Sequence, residues 1–421
     1  MNWLGSLLGI FLFIFLPVIS AAQHNAQVSN PISFAVGTSI GETFSANTNF
    51  PERKAFSEVA LSLFWKNIRP EAKWNRHLWY PNTGIEIGFS DFGNNSALGQ
   101  AFSMTSFMEL DFSKKKKRLQ LKLAAGLGYF NRIFDDVENP FNKAITKPLN
   151  ITFRTHLQYS FLYTNRTEWR AGIGVLHYSN GHNRLPNQGL NTLAFQFSGI
   201  LDNQSRNNES VINQNTDSLS SRSKAYYVHS RFGLGQNVLS RIFNEKKEVY
   251  TASLSIGKII NDTFKLGIGL NYRFYQHYYD YIRNNEELVQ NRFSHFKDHP
   301  FWNASNFGIN ISGEILMGHI GAELDIGLNI HKPAYKIDWI LNDGFTFLRD
   351  GELVTVFGEL NDYFRIKRAF PARLGLKYYL TNTQRAPKHN FYLGAHINAN
   401  LGQADFTEIS FGYVKRLENS K

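Results

Sequence analysis

The chain has 421 residues, no cysteine and a formal net charge of +11. Without cysteine there are no disulfides and no thiolate metal sites, and a basic balance points to nucleic acid or to an anionic lipid surface. Phe 36, Tyr 19 and Gly 32 against Pro 12 suit repeated strands joined by turns better than packed helices.

Residues 1–22 read as a secretory signal. Positions 4–19 are almost wholly apolar, and Ser20, Ala21 and Ala22 supply small residues ahead of a cut before Gln23. No Lys or Arg precedes the apolar run, so an uncleaved single-span anchor is the competing reading. With export, the lipid surface is the expected partner and nucleic acid is not. After Gln23 no stretch approaches the ~18 uninterrupted apolar residues that a spanning helix needs. A mature chain that crosses a membrane must therefore cross it as strands.

Alternating segments of about ten residues follow, the pattern of membrane strands. They fall at 32–43, 55–65, 83–92, 98–112, 118–130, 151–163, 168–180 and 191–201, then at 225–235, 248–260, 265–278, 306–316, 319–330, 372–380, 390–401 and 406–414. An even number from 12 to 16, centred on fourteen, is expected for the wall. An open edge in hydrocarbon leaves backbone groups unpaired. We therefore expect an all-β, antiparallel transmembrane β-barrel, with residues 23–421 as one domain in the cell outer membrane. A soluble β-sandwich or propeller is the architecture it competes with.

Among the connections, Lys114, Lys115, Lys116 and Lys117 form a basic turn that the strand count puts on the periplasmic side. Residues 203–224 are rich in Asn and Ser and fall on the same side, although barrel turns there are usually short. The stretches 284–302 and 337–366 read as extracellular loops. His295 and His299 have the i, i+4 spacing of a helical metal pair but precede Pro300 with no third ligand in view, so no metal and no cofactor are expected.

The segment with the most chemistry runs from Trp169 to Asn191. On a strand, Trp169, Ala171, Ile173, Val175, His177 and Ser179 share one face. That face is apolar until His177, so it is the lipid face. On the next strand Asn191 opens a second apolar face with Leu193, Phe195 and Phe197. With the N-terminus in the periplasm, the seventh strand ends at the outer leaflet, where polar groups on a lipid face are tolerated. His177 and Ser179 lie about 6–7 Å apart at Cα. A histidine at that distance can act as base on a serine that attacks an ester, with Asn191 orienting the ring and Asn187 and loop N–H groups as oxyanion donors. On the residues alone a second reading stands beside it: interfacial His and Ser binding water or headgroups, with Asn180-Gly181 making the turn.

His177-Tyr-Ser179-Asn180-Gly181 followed by Pro186-Asn187-Gln-Gly189-Leu-Asn191 resembles the signature of the PagL-like lipid A 3-O-deacylases, the outer-membrane acyloxyacyl-hydrolase-type family. Gly126-Leu-Gly-Tyr-Phe130, Asn142-Lys-Ala-Ile145 and Leu149-Asn150 are similar to that family too, so the resemblance covers about 84–199. It implies a lipid A acyl-ester hydrolase with its site on the lipid-facing wall, lipopolysaccharide as substrate and no metal. It implies Ser179 as nucleophile, His177 as base, Asn187 at the oxyanion, and Asn180 with Gly181 as motif residues. Asn191 falls where well-known members carry a glutamate, and His182 where a second small residue is expected. Residues beyond about 226 lie outside the resemblance. Set against the esterase is a non-catalytic barrel: a porin, a transporter or a lipopolysaccharide-binding pseudoenzyme.

Overall fold

The computed structural model describes residues 32–66, 72–112, 118–164, 166–201 and 223–417. The 1–22 signal, the Lys114 to Lys117 turn and nearly all of 203–224 lie outside the described residues.

The strands close into two separate walls. The first is an antiparallel barrel of β1 (Ile32–Thr43), β2 (Phe56–Lys66), β3 (Asn82–Asp91), β4 (Gln100–Asp111), β5 (Leu119–Phe130), β6 (Leu149–Tyr163), β7 (Thr167–Ser179) and β8 (Leu190–Leu201). Its seam joins β1 to β8, from Phe34 with Leu201 to Thr43 with Thr192. The second is built from β9 (Lys224–Asn237), β10 (Lys247–Ile260), β11 (Phe264–Tyr275), β12 (Ser305–Met317) and β13 (Ile320–His331). It is completed by β16 (Pro371–Tyr379), β17 (His389–Asn400) and β18 (Gln403–Leu417), and β18 returns to β9. A hairpin, β14 (Phe345–Arg349) with β15 (Glu352–Val356), stands apart from both walls.

All sixteen expected strands occur, and the wall total sits at the top of the expected range. The single barrel is corrected to two. Alternation specifies which face of a strand meets lipid, but not which edge it finally pairs with. Here β8 satisfies the free edge of β1, and the strands after it close among themselves. No helix among the described residues is long and apolar enough to cross a membrane.

Outward faces are apolar along the walls, as with Val59, Leu61 and Leu63 on β2 and Ile309 and Ile311 on β12. Inward faces are charged and paired. In the first barrel Arg154 sits between Glu58 at 3.0 Å and Glu86 at 3.4 Å, and Arg170 binds Glu109 at 3.1 Å. The second barrel repeats the scheme with other residues: Glu314 takes Lys265 at 2.8 Å and Lys377 at 2.9 Å, and Arg373 reaches Glu408 at 3.4 Å. An eight-stranded barrel has an interior just wide enough for side chains to fill. Buried charges persist there because each has a partner.

The 284–302 stretch folds as short helical turns, Glu287–Asn291, Ser294–Asp298 and Pro300–Asn303. Within 337–366 the chain makes a helix, Tyr335–Asp343, then the hairpin, then the start of a helix, Asp362–Ala369. Gly181–Leu185 packs with residues 222–421 as one compact unit, and the remainder of the first barrel forms the other.

Candidate active site

The site strand is β7, and its inward side chains anchor it. Tyr178, between His177 and Ser179, points into the barrel and is fully buried. Its hydroxyl accepts from Arg154 Nη2 at 2.8 Å, and its ring meets Phe130 and Phe92 edge-on at 5.1 and 5.9 Å. Gly128 makes room for that ring, since a Cβ there would lie 2.7 Å from Tyr178 Cε1. The Gly126-Leu-Gly segment thus serves the site from behind. A side chain locked on one face fixes the direction of its two neighbours on the other.

Those neighbours are His177 and Ser179. They keep the outward parity of Ile173 and Val175, both exposed. Across the β7–β8 ladder His177 pairs directly with Asn191, which shares the outward parity of Phe195 and Phe197. The two side chains meet: His177 Nδ1 donates to Asn191 Oδ1 at 2.7 Å. An amide oxygen only accepts, so this bond puts the ring proton on Nδ1 and leaves the lone pair on Nε2. Ser179 is buried at the end of β7, while His177 and Asn191 are half-buried.

After Asn180 the chain turns through two left-handed residues, Gly181 at φ 66° and His182 at φ 68°. For histidine that conformation costs about 1–2 kcal/mol. Asn187 comes back to Asn180, its Oδ1 accepting from Asn180 N at 3.1 Å. The Asn180 N–H is therefore occupied by Asn187. Gly189, at φ 73°, lies against the imidazole, and a Cβ there would sit 2.8 Å from His177 Cε1.

A second loop backs this one. Gln188 N donates to Lys143 O at 3.1 Å, Gly189 N to Ala144 O at 3.3 Å, and Thr146 Oγ1 to Pro186 O. This explains the Asn142-Lys-Ala-Ile145 segment, whose backbone acceptors align the 186–189 stretch. Among residues that sequence reasoning did not single out are Thr146 and Tyr178. His295 and His299 fall in and just after the Ser294–Asp298 turn. No group of three or more His, Cys, Asp or Glu among the described residues is placed to hold a metal.

Antiparallel walls, apolar outside and charge-paired inside, define a membrane-spanning β-barrel of the outer-membrane class. Residues 60–198, within the first barrel, match the family of lipid A 3-O-deacylase (PagL), so the first barrel is PagL-like over that stretch. Matched structures include the outer membrane enzyme PagL, with 14% identity over 39% of this chain and 97% of that one, at a TM-score of 0.27. The siderophore receptor PirA from Pseudomonas aeruginosa matches with 8% identity over 94% of this chain and 81% of that one, at 0.24. A porin from Rh. blastica has 8% identity over 92% and 100%, at 0.18. Similarity at that level says nothing of activity. No curated protein matches the chain.

Proposed function

We propose that the protein is a lipid A 3-O-deacylase: a serine esterase that removes an ester-linked acyl chain from lipid A in the outer leaflet. The observation that carries this reading is the His177–Asn191 hydrogen bond of 2.7 Å on the outward side of the wall. It sits one strand step from Ser179, inside the segment that matches the deacylase family. Nδ1–H bonded to Asn191 leaves Nε2 as the basic nitrogen, the one a Ser-His site requires.

The reaction then runs through this chain's own groups. Nε2 of His177 takes the proton of Ser179 Oγ as that oxygen attacks the acyl carbonyl. The Nδ2 of Asn187, steadied by the hold of its Oδ1 on Asn180 N, is a donor for the oxyanion. Collapse breaks the bond to the sugar oxygen, which takes the proton from the imidazolium and leaves as a hydroxyl. Water, deprotonated by the same imidazole, then attacks the acyl carbonyl; the bond to Ser179 Oγ breaks, that oxygen takes the proton back, and the acyl chain leaves as a free fatty acid. Asn191 orients the imidazolium but brings no charge, so its stabilisation is weaker than an acid would give. A wall-mounted site suits a substrate whose acyl chains stay within the bilayer.

The porin and transporter alternatives find less support. Both interiors are crowded with paired charges such as Arg154 with Glu58 and Lys377 with Glu314. The test is mass spectrometry of lipid A from cells expressing wild type or Ser179→Ala. Wild type is expected to produce lipid A lighter by one acyl chain, and the variant is not. Identical lipid A from both would remove the enzyme.

A further inference from the structure

We propose that Glu42 is a positioning residue of the esterase site: its carboxylate accepts a hydrogen bond from Asn191 Nδ2 and, through that amide, supplies the charge that Asn191 cannot bring to the His177 ring. The proposal rests on the esterase reading above and stays within the first barrel.

β1 closes this wall against β8. Its outward side chains run Phe34, Val36, Thr38, Ile40 and Glu42, all exposed, with Phe44 just past the strand. A carboxylate in such a row is costly, the more so with depth. Asp91 on β3 is the other carboxylate with outward parity among the described strands of this barrel, and it is satisfied. Its Oδ1 accepts from Gly93 N at 2.8 Å and its Oδ2 from Gln100 Nε2 at 3.0 Å. Glu42 has no hydrogen bond or ion pair with any described residue.

The register sets where it can turn. On the β1–β8 ladder Glu42 pairs with Leu193 and Thr43 with Thr192, and Phe44 N donates to Asn191 O at 2.8 Å. Glu42 is therefore the diagonal neighbour of Asn191 on the outward face, one pleat deeper. Diagonal neighbours lie about 7–8 Å apart, within reach of a long side chain. A carboxylate leaving hydrocarbon must climb toward the outer rim, and at the next step it meets Asn191. That amide has a spare donor. Its Oδ1 is taken by His177 Nδ1 at 2.7 Å, while Nδ2 has no acceptor among the described residues. An N–H bonded to a carboxylate is a charge-assisted contact, roughly twice as strong as a neutral one. It polarises the amide, so Oδ1 accepts more strongly as the imidazole becomes imidazolium. An amide held at both atoms also cannot exchange its oxygen for its nitrogen, which keeps the ring proton on Nδ1.

The other charged groups around this corner stand on connections rather than on the wall. Arg53, ahead of β2, donates to Thr43 O, Pro51 O and Ser45 Oγ, with Glu52 and Lys54 exposed on either side. Lys143 and Lys147 lie in the connection before β6. On β6 itself the outward neighbours of Ser179 and His177 are Ile151 and Phe153.

The full-length chain is assayed for lipid A turnover across pH and for labelling of Ser179 by an alkyl fluorophosphonate. Glu42→Gln, which drops the charge, is expected to lower kcat about ten-fold with KM little changed. The acidic limb of its kcat profile should move to lower pH, because an imidazole without a counter-charge holds its proton less well. Asn191→Asp in the Glu42→Gln background returns the charge one step along. It should restore most of the rate and carry the limb back up. Glu138→Gln, which removes an exposed loop carboxylate, should behave as wild type. Heat-modifiable migration verifies that each variant is a folded barrel; should Glu42→Gln fail there, Glu42→Asp, too short to reach Asn191, carries the comparison with the same expected loss. Labelling and kcat of Glu42→Gln within two-fold of wild type, with an unmoved limb, would overturn the proposal. So would a loss confined to KM, which would set Glu42 against the substrate instead. A wild type that neither takes the label nor alters lipid A ends the esterase reading and this proposal with it, an outcome distinct from an active wild type with an unaffected variant.

Discussion

At residue scale the open chemical question is Asn191. Its oxygen receives the Nδ1 proton of His177 at 2.7 Å, which sets the tautomer, but an amide offers an imidazolium no counter-charge. If the proposed site works as Ser-His sites do, Asn191→Ala removes the orienting bond and is expected to lower kcat by up to about four orders of magnitude, the loss seen when a triad's third member is altered. Asn191→Asp keeps an acceptor and adds a charge. A carboxylate beside the ring favours its protonated form. Because the base must be neutral to act, the acidic limb of the pH–rate profile should move to higher pH, while kcat above it holds or rises. A profile of kcat against pH for both variants tests this, and an unmoved acidic limb in the Asp variant would exclude direct contact with the ring. The site residues were legible in the sequence as a pattern of faces: His177, Ser179 and Asn191 share outward parity because strand periodicity is two. The tautomer was not legible, since it depends on which atom Asn191 presents. Nor was Gly189, whose closeness to His177 arises from a loop that no periodicity describes.

At the scale of elements, the strands are held in register by what they bury. The Arg154 guanidinium is fully buried and gathers Glu58, Glu86, Ser103 and Tyr178 from β2, β3, β4 and β7 onto β6. Arg154→Ala leaves Glu58 and Glu86 buried with less compensation and frees Tyr178. We expect a loss of about 3–5 kcal/mol, the range for breaking a buried pair by deleting one partner. It is measured as a lower urea midpoint for the first barrel, and the accompanying loss of Tyr178 anchorage should slow turnover. Replacement of Arg154 without a shift in the midpoint would mean that the network contributes little. Each strand was visible in the sequence because its lipid face is continuously apolar. The helix Tyr335–Asp343 and the β14–β15 hairpin were not, since loop segments of five to nine residues carry too few periods to register against their surroundings.

For the whole molecule, the paired interiors make a direct prediction about transport. Two eight-stranded walls whose interiors hold paired Arg, Lys and Glu side chains are expected to leave no continuous water path. Purified full-length protein in planar bilayers is expected to show no steady conductance, and stable single-channel steps would restore the porin reading. The division into two walls is where sequence reading fell short, and the reason is physical. Sixteen alternating strands satisfy lipid equally well as one closure or as two, because edge choice is a long-range event. One clue was present: the polar stretch 203–224 sits halfway along the strand series, on the side where turns are normally short.

That division also changes how the chain is assembled in the membrane. A wall of sixteen strands must keep its first edge waiting until the final strand has been made, with all intervening hydrocarbon-facing strands already present. Here Phe34 finds Leu201, and later Tyr226 finds Leu417, so each waiting edge is capped after eight strands. Long-range pairing is slow and leaves edges exposed to wrong partners. Insertion in two instalments shortens that exposure, and a half-made chain already carries one sealed cylinder.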